Sequence, residues 1–157
     1  MNCDRENMND LQIKLTYEWQ AVYLRENVEY LFPMAISPFM RAKYKVPAVF
    51  KWDIYQKTPG DKKLIYIGEA QELCPRRLYG YLNPGPTQLA NKKVNEEFRR
   101  YLREKLKIGL EICQVKEVQL GGLTLDTDAF TDKHVRRLAV EAFIVAHTKR
   151  GITVAEL

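Results

Sequence analysis

Residues 48 to 68 constrain this chain more than any other stretch. From 48 to 56, Phe50, Trp52 and Ile54 fall on one face, while Val49, Lys51, Asp53 and Tyr55 fall on the other. That period of two predicts a strand. Thr58-Pro59-Gly60-Asp61 reads as a turn. Residues 63 to 68 then return as a second strand, so the stretch is a hairpin. Gly68 ends it where backbone freedom is useful.

The flanking segments fill in the class. Leu11, Ile13, Leu15, Tyr17 and Trp19 alternate with Gln12, Lys14, Thr16, Glu18 and Gln20, the pattern of a half-buried strand. Residues 1 to 9 read as a loose polar tail. Val22, Leu24, Val28 and Leu31 form an approximate stripe that predicts a helix over 21 to 32. Pro33, Pro38 and Pro47 break up the next stretch, leaving a connector with one short helical turn. Pro75 opens a helix to about Leu82, and Asn83-Pro84-Gly85-Pro86 stops it. A longer helix follows over 88 to 107. Val94, Phe98, Tyr101 or Leu102, and Leu106 are its buried face, and seven lysines and arginines crowd its other sides. Residues 110 to 120 read as a strand ended by Gly121-Gly122. A last helix over 129 to 150 would bury Val135, Leu138, Ala142 and Val145 or Ala146, and Gly151 stops it. Strands and helices mixed in this order, with hairpin connections, define an α+β domain.

The totals exclude several classes. A chain of 157 residues suits one domain with a real core. Its net charge of +5 is compatible with a polyanionic partner. Cys3, Cys74 and Cys113 are odd in number and form no CxxC pair, which argues against a disulfide framework or cysteine zinc site and fits a reducing compartment. Only His134 and His147 could supply imidazole. No apolar run is long enough to span a bilayer, and the expected location is cytoplasmic.

Three residues stand out chemically. Arg77 and Tyr81 are one helical turn apart and share a face. A guanidinium fork suits phosphate oxygens, and a phenol can bond the same group or position a water. The plain alternative is a solvated arginine beside a core tyrosine. Glu141 sits among Val140, Ala142, Phe143, Ile144 and Val145. A carboxylate there is costly to desolvate unless paired, protonated or bound to a cation. The plain alternative is an exposed residue paired with Arg137 or Lys133.

Together these residues carry a resemblance. Tyr66-Ile67-Gly68-Glu69-Ala70, then Leu73, Arg77-Leu78 and Tyr81, and later Glu141-Ala142, resemble the signature of the GIY-YIG nuclease superfamily. The likeness covers residues 47 to 82 and 138 to 148, about half the chain. It looks particularly like the nuclease domain of the bacterial excision-repair incision subunit, with one residue inserted before the arginine. The resemblance implies a small antiparallel sheet flanked by helices, with 47–150 as the nuclease-like core and 1–46 as an N-terminal addition to a single 1–157 domain. It implies a DNA endonuclease acting on duplex or branched DNA with one divalent metal ion, Mg2+ or Mn2+. Glu141 would hold the metal and Arg77 the scissile phosphate. Tyr66 would position or activate water, and Tyr81 would support phosphate or water.

The sequence departs from that signature. Pro47-Ala48-Val49-Phe50 puts Phe50 where the first-motif tyrosine belongs, whereas Tyr55, eleven residues before Tyr66, offers a tyrosine in a second register. Glu69 replaces a lysine or small polar residue and would make the phosphate pocket less positive unless Arg76 or Lys63 pairs with it. The asparagine that follows the family's glutamate is not evident. Arg76, Asn91, Lys92 and Asn95 are candidate nucleic-acid contacts around the start of the basic helix. Two rival readings remain open. One is a degenerate member that binds nucleic acid without cutting. The other is a protein-interaction module using Tyr17, Trp19 and Tyr23.

Overall fold

The computed structural model describes residues 9–58, 62–125 and 128–155. The anticipated tail at 1–8 and the turn at 59–61 lie outside them. The domain is α+β. Its strands are β1 (Ile13–Ala21), β2 (Tyr23–Arg25), β3 (Val28–Glu29), β4 (Ala48–Tyr55), β5 (Lys62–Ala70), β6 (Lys107–Leu120) and β7 (Leu123–Leu125). Its α-helices are α1 (Pro38–Lys43), α2 (Leu78–Leu82), α3 (Leu89–Arg103) and α4 (Lys133–Lys149).

The main sheet runs β1-β6-β4-β5, and every neighbouring pair is antiparallel. Strand β7 folds back on the end of β6, on the flank that β4 leaves free. The predicted hairpin is present, with Phe50 opposite Gly68 and Trp52 opposite Tyr66. Both faces of β4 are buried, as befits a central strand. On the second face Lys51 is satisfied by Asp53 and Glu111, at 3.9 and 3.7 Å, and its ammonium lies 4.6 Å from the Trp19 ring centre. Strand β1, from the segment ahead of residue 47, pairs along β6 and so belongs to the same sheet. The open edge of β5 is closed by the chain's end: the Ile65 amide donates to the Thr153 carbonyl, and the Ala155 amide to the Ile65 carbonyl.

Two cores lie on opposite faces. The first packs Phe50, Trp52, Ile54, Ile108 and Leu110 under the β2–β3 hairpin, α1, α2 and α3. The second packs Val49, Ile65, Ile67, Tyr17 and Trp19 under α4 and the 3-10 turn Asp128–Thr131. Helix α1 starts as its sequence dictates. Pro38 opens it, and the Ser37 hydroxyl accepts from the Met40 amide at 3.1 Å.

Three expectations are corrected. Residues 21–32 form no helix but the small β2–β3 hairpin. Asn27 takes φ +62°, a left-handed turn that a helix cannot contain. Val22 and Leu24, two apart, were reporting strand periodicity.

Helix α4 is present, but its buried face is the other one. Arg136, Phe143 and His147 point inward, while Val135, Leu138 and Val145 face solvent. The cause is the size and chemistry of the partners. Phe143 meets the rings of Tyr17 at 4.7 Å and Trp19 at 5.0 Å, and Arg136 finds a carboxylate.

Gly68 is needed for space rather than for turning. Strand β5 runs on to Ala70, and a Cβ at 68 would stand 2.7 Å from the Phe50 ring.

Candidate functional site

The YIG strand leads through Gln71 and Glu72 into a π-type turn, Leu73–Arg77, that feeds α2. Cys74 is extended (φ −131°, ψ 131°), so helical winding begins at Pro75. The Arg77 amide reaches back to the Glu72 carbonyl at 3.2 Å. This wide turn presents Arg76 and Arg77 at the surface end of α2.

Arg77 and Tyr81 meet as their spacing predicts, with the guanidinium carbon 6.0 Å from the ring centre. Tyr81 is buried and touches Phe50 edge-on at 6.2 Å. Tyr66 is its neighbouring phenol. Burial, first, and then Tyr66 hold the Tyr81 phenol well above its usual range, so it stays protonated. Tyr81 thus lies against Arg77 and Tyr66 as a neutral phenol. Tyr66 is half-buried and packs against Phe98.

The register sets Phe50 and Tyr55 apart. Phe50 lies beside Gly68 and Tyr81, whereas Tyr55 is at the other end of β4, opposite Lys62. They stand five positions apart along the strand, roughly 17 Å. Tyr55 packs against Gly109, and burial, then Glu29 and Asp53, push its phenol up.

A cleft of about 350 Å3 opens beside Arg77. Arg76, Arg77, Gly80, Gln88 and Asn91 line it with Glu72. Gly80 permits this approach of α3 to α2, since a Cβ there would stand 2.7 Å from the Asn91 amide nitrogen. Of the candidate nucleic-acid contacts, Arg76 and Asn91 thus join Arg77. Lys92 is exposed on α3 and does not line the cleft. Asn95 is committed elsewhere: its amide donates to the Tyr81 carbonyl at 2.6 Å, and its oxygen accepts from Arg99 at 3.3 Å. It fastens α2 to α3.

Glu141 is exposed on α4, the helix that covers the opposite sheet face. Among the described residues no hydrogen bond or ion pair joins it to another side chain, including Arg137 and Lys133. It does not line the Arg77 cleft.

Glu69 also resolves differently from expectation. Its partner is Arg136 rather than Arg76, Nε to carboxylate 2.8 Å, while the Lys63 side chain lies outside the described residues. The same guanidinium donates to the carbonyls of Phe130 (2.8 Å) and Thr131 (3.2 Å) and to Gln71 (3.0 Å). The acid is thereby turned to the α4 face. It leaves Arg76 and Arg77 without an ion-pair partner among the described residues.

Sequence reasoning passed over Arg136, Arg41 and Tyr79. Arg136 carried a usable signal, since it is a charge on an amphipathic helix with apolar neighbours, the same criterion that singled out Glu141. Cys74 and Cys113 are buried thiols pushed up to about 11 and about 12, chiefly by burial, which makes them poor nucleophiles. No helix among the described residues is long and apolar enough to cross a membrane. Compared with family models, curated proteins and solved structures, the chain matches none.

Proposed function

We propose that this protein is a GIY-YIG-like endonuclease that binds DNA phosphates at the Arg76–Arg77 cleft and hydrolyses a phosphodiester with one divalent metal ion. The observation that carries the reading is the cleft itself. Two adjacent guanidinia line it with an asparagine amide, no ion pair neutralises them among the described residues, and a buried phenol steadies one of them. Guanidinia so arranged favour phosphate oxygens. The hairpin, the turn bearing Arg77 and the helix bearing Glu141 also follow one another in the order the resemblance implies.

Glu141 suits the metal by its chemistry but not by its place, since α4 covers the sheet face opposite the one that carries the Arg77 cleft. Glu141 is an exposed carboxylate without an ion-pair partner among the described residues, and Mg2+ commonly takes one or two carboxylates and keeps several waters. In the assignment that the resemblance implies, Glu141 would hold it, and such an ion would supply a more acidic water and neutralise developing charge. Arg77 would hold the phosphate, Tyr81 would keep Arg77 in place, and Tyr66 would orient the attacking water. A second reading, binding without cutting, is favoured by one specific observation. In the Pro47-Ala48-Val49-Phe50 register the first-motif aromatic is Phe50, which lies beside Gly68 and has no hydroxyl.

Nicking of supercoiled plasmid and cleavage of branched DNA in Mg2+ or Mn2+ separate the two. The expected result is cutting by the wild type and at least ~100-fold slower cutting by Glu141→Ala with DNA binding retained. Cutting by Glu141→Ala at the wild-type rate refutes the metal role of Glu141, and cutting by Arg77→Ala at that rate refutes the nuclease site at the cleft. Binding with no cutting in either metal selects the second.

A further inference from the structure

A second cleft, about 480 Å3, adjoins the first and shares Arg76, Gly80 and Gln88 with it. Its character is different. Pro75 and the ring of Tyr79 give it apolar walls, Arg41 from α1 and Arg76 give it positive charge, and Asn83 contributes an amide. Tyr79 is 56% exposed, and among the described residues no other ring packs on it. Lone exposed aromatics are ordinary on protein surfaces. This one lines a cleft whose two guanidinia come from separate elements and have no ion-pair partner among the described residues.

We propose that this second cleft is a stacking subsite for one unpaired nucleobase, next to a backbone phosphate held by Arg76 and Arg77. The inference rests on the phosphate reading of the first cleft and specifies its substrate class: DNA with a single-stranded segment beside the bound phosphate. Arg76 borders both clefts, so one side chain can hold the phosphate that links a stacked nucleotide to its neighbour. An aromatic face stacks on any base, while the flanking cations hold the backbone. Asn83 can hydrogen-bond a base edge. In an intact duplex the bases are stacked and paired, so Tyr79 reaches one only at an overhang, gap or branch.

Fluorescence anisotropy tests this with three labelled DNAs: a blunt duplex, the same duplex with a short single-stranded extension, and that extension carrying abasic sites. The extension is expected to tighten wild-type binding by ~5- to 150-fold over the blunt duplex. The abasic extension and the Tyr79→Ala variant should each lose that gain, Tyr79→Trp should keep it, and Tyr79→Ala should bind the blunt duplex as the wild type does. Tyr79 is exposed, so the variants fold. Equal wild-type affinity for blunt and extended DNA overturns the stacking subsite and leaves the phosphate reading standing. So does extension binding that Tyr79→Ala does not weaken. Failure to bind any of the three DNAs overturns both. Competition by polyglutamate as effective as that of the extended DNA overturns the subsite in favour of an acidic peptide.

Discussion

Replacing Arg136 by methionine should be the most damaging change to a charged side chain in this protein. Arg136 is 1% exposed, and its guanidinium makes four hydrogen bonds, to Glu69, Gln71 and the carbonyls of Phe130 and Thr131. Methionine keeps most of the aliphatic stem, so little cavity arises. What is lost is polar. The Glu69 carboxylate keeps a half-buried position without its partner, and two carbonyls lose their donor. Breaking a buried pair from one side costs about 3–5 kcal/mol. The Glu69 side chain retains 19% exposure, so some water returns and the lower half of that range applies. For a chain of this size that cost, about 3–4 kcal/mol, corresponds to a Tm drop of roughly 6–16 °C. Urea unfolding followed by tryptophan fluorescence measures it. Glu69→Met alone should cost less, and the double variant should recover at least ~1 kcal/mol relative to the sum of the singles. A single-variant loss below ~1 kcal/mol, or strict additivity in the cycle, would show that this contact does not hold α4 to the end of β5.

Two further tests bear on α4. Phe143→Ala should cost about 3–5 kcal/mol in the same unfolding assay, because the ring fills the space between Tyr17 and Trp19. Leu138→Lys should stay within ~0.5 kcal/mol of wild type; the opposite ranking would mean that the helix is rotated. The second test uses pH. Asp132 caps the helix through the amides of His134 and Val135, and the bonds to Val135 and His134 hold its carboxyl below the usual range. A lowered folded pKa means a contribution fully present above pH ~4 and lost as pH falls through the folded value. The urea midpoint of Asp132→Ala should therefore lie below wild type by a constant interval from pH 7 to 5, and the interval should close in more acid solution. An interval unchanged at low pH would sink the charged-cap account.

Parts of the site could be read directly. Arg77 and Tyr81 meet because four residues of helix return a side chain to the same face, a local rule. The hairpin register follows from alternation on β4 and fixes Phe50 beside Gly68. Other parts could not be read. Asn95 has the composition of a nucleic-acid contact, yet its amide is committed to the end of α2. Glu69 finds its cation 67 residues away on another element, and no local pattern encodes that distance. Helix α4 was ambiguous in principle. Its two apolar stripes both recur at helical spacing and lie on roughly opposite sides, so periodicity identifies the helix without choosing its inner face.

Outside residues 21–32, the amino-acid order alone determined the main changes of chain direction and which segments alternate with a period of two or of about four residues. These are properties of neighbours along the backbone, set by backbone sterics and by apolar spacing. Only tertiary packing decided which stripe of α4 turns inward, that residues 21–32 pair as strands, and that Glu69 leaves Arg76 and Arg77 for Arg136. Each of those outcomes compares the burial of one surface against another contributed by distant residues, and that comparison exists only once the sheet has brought them together.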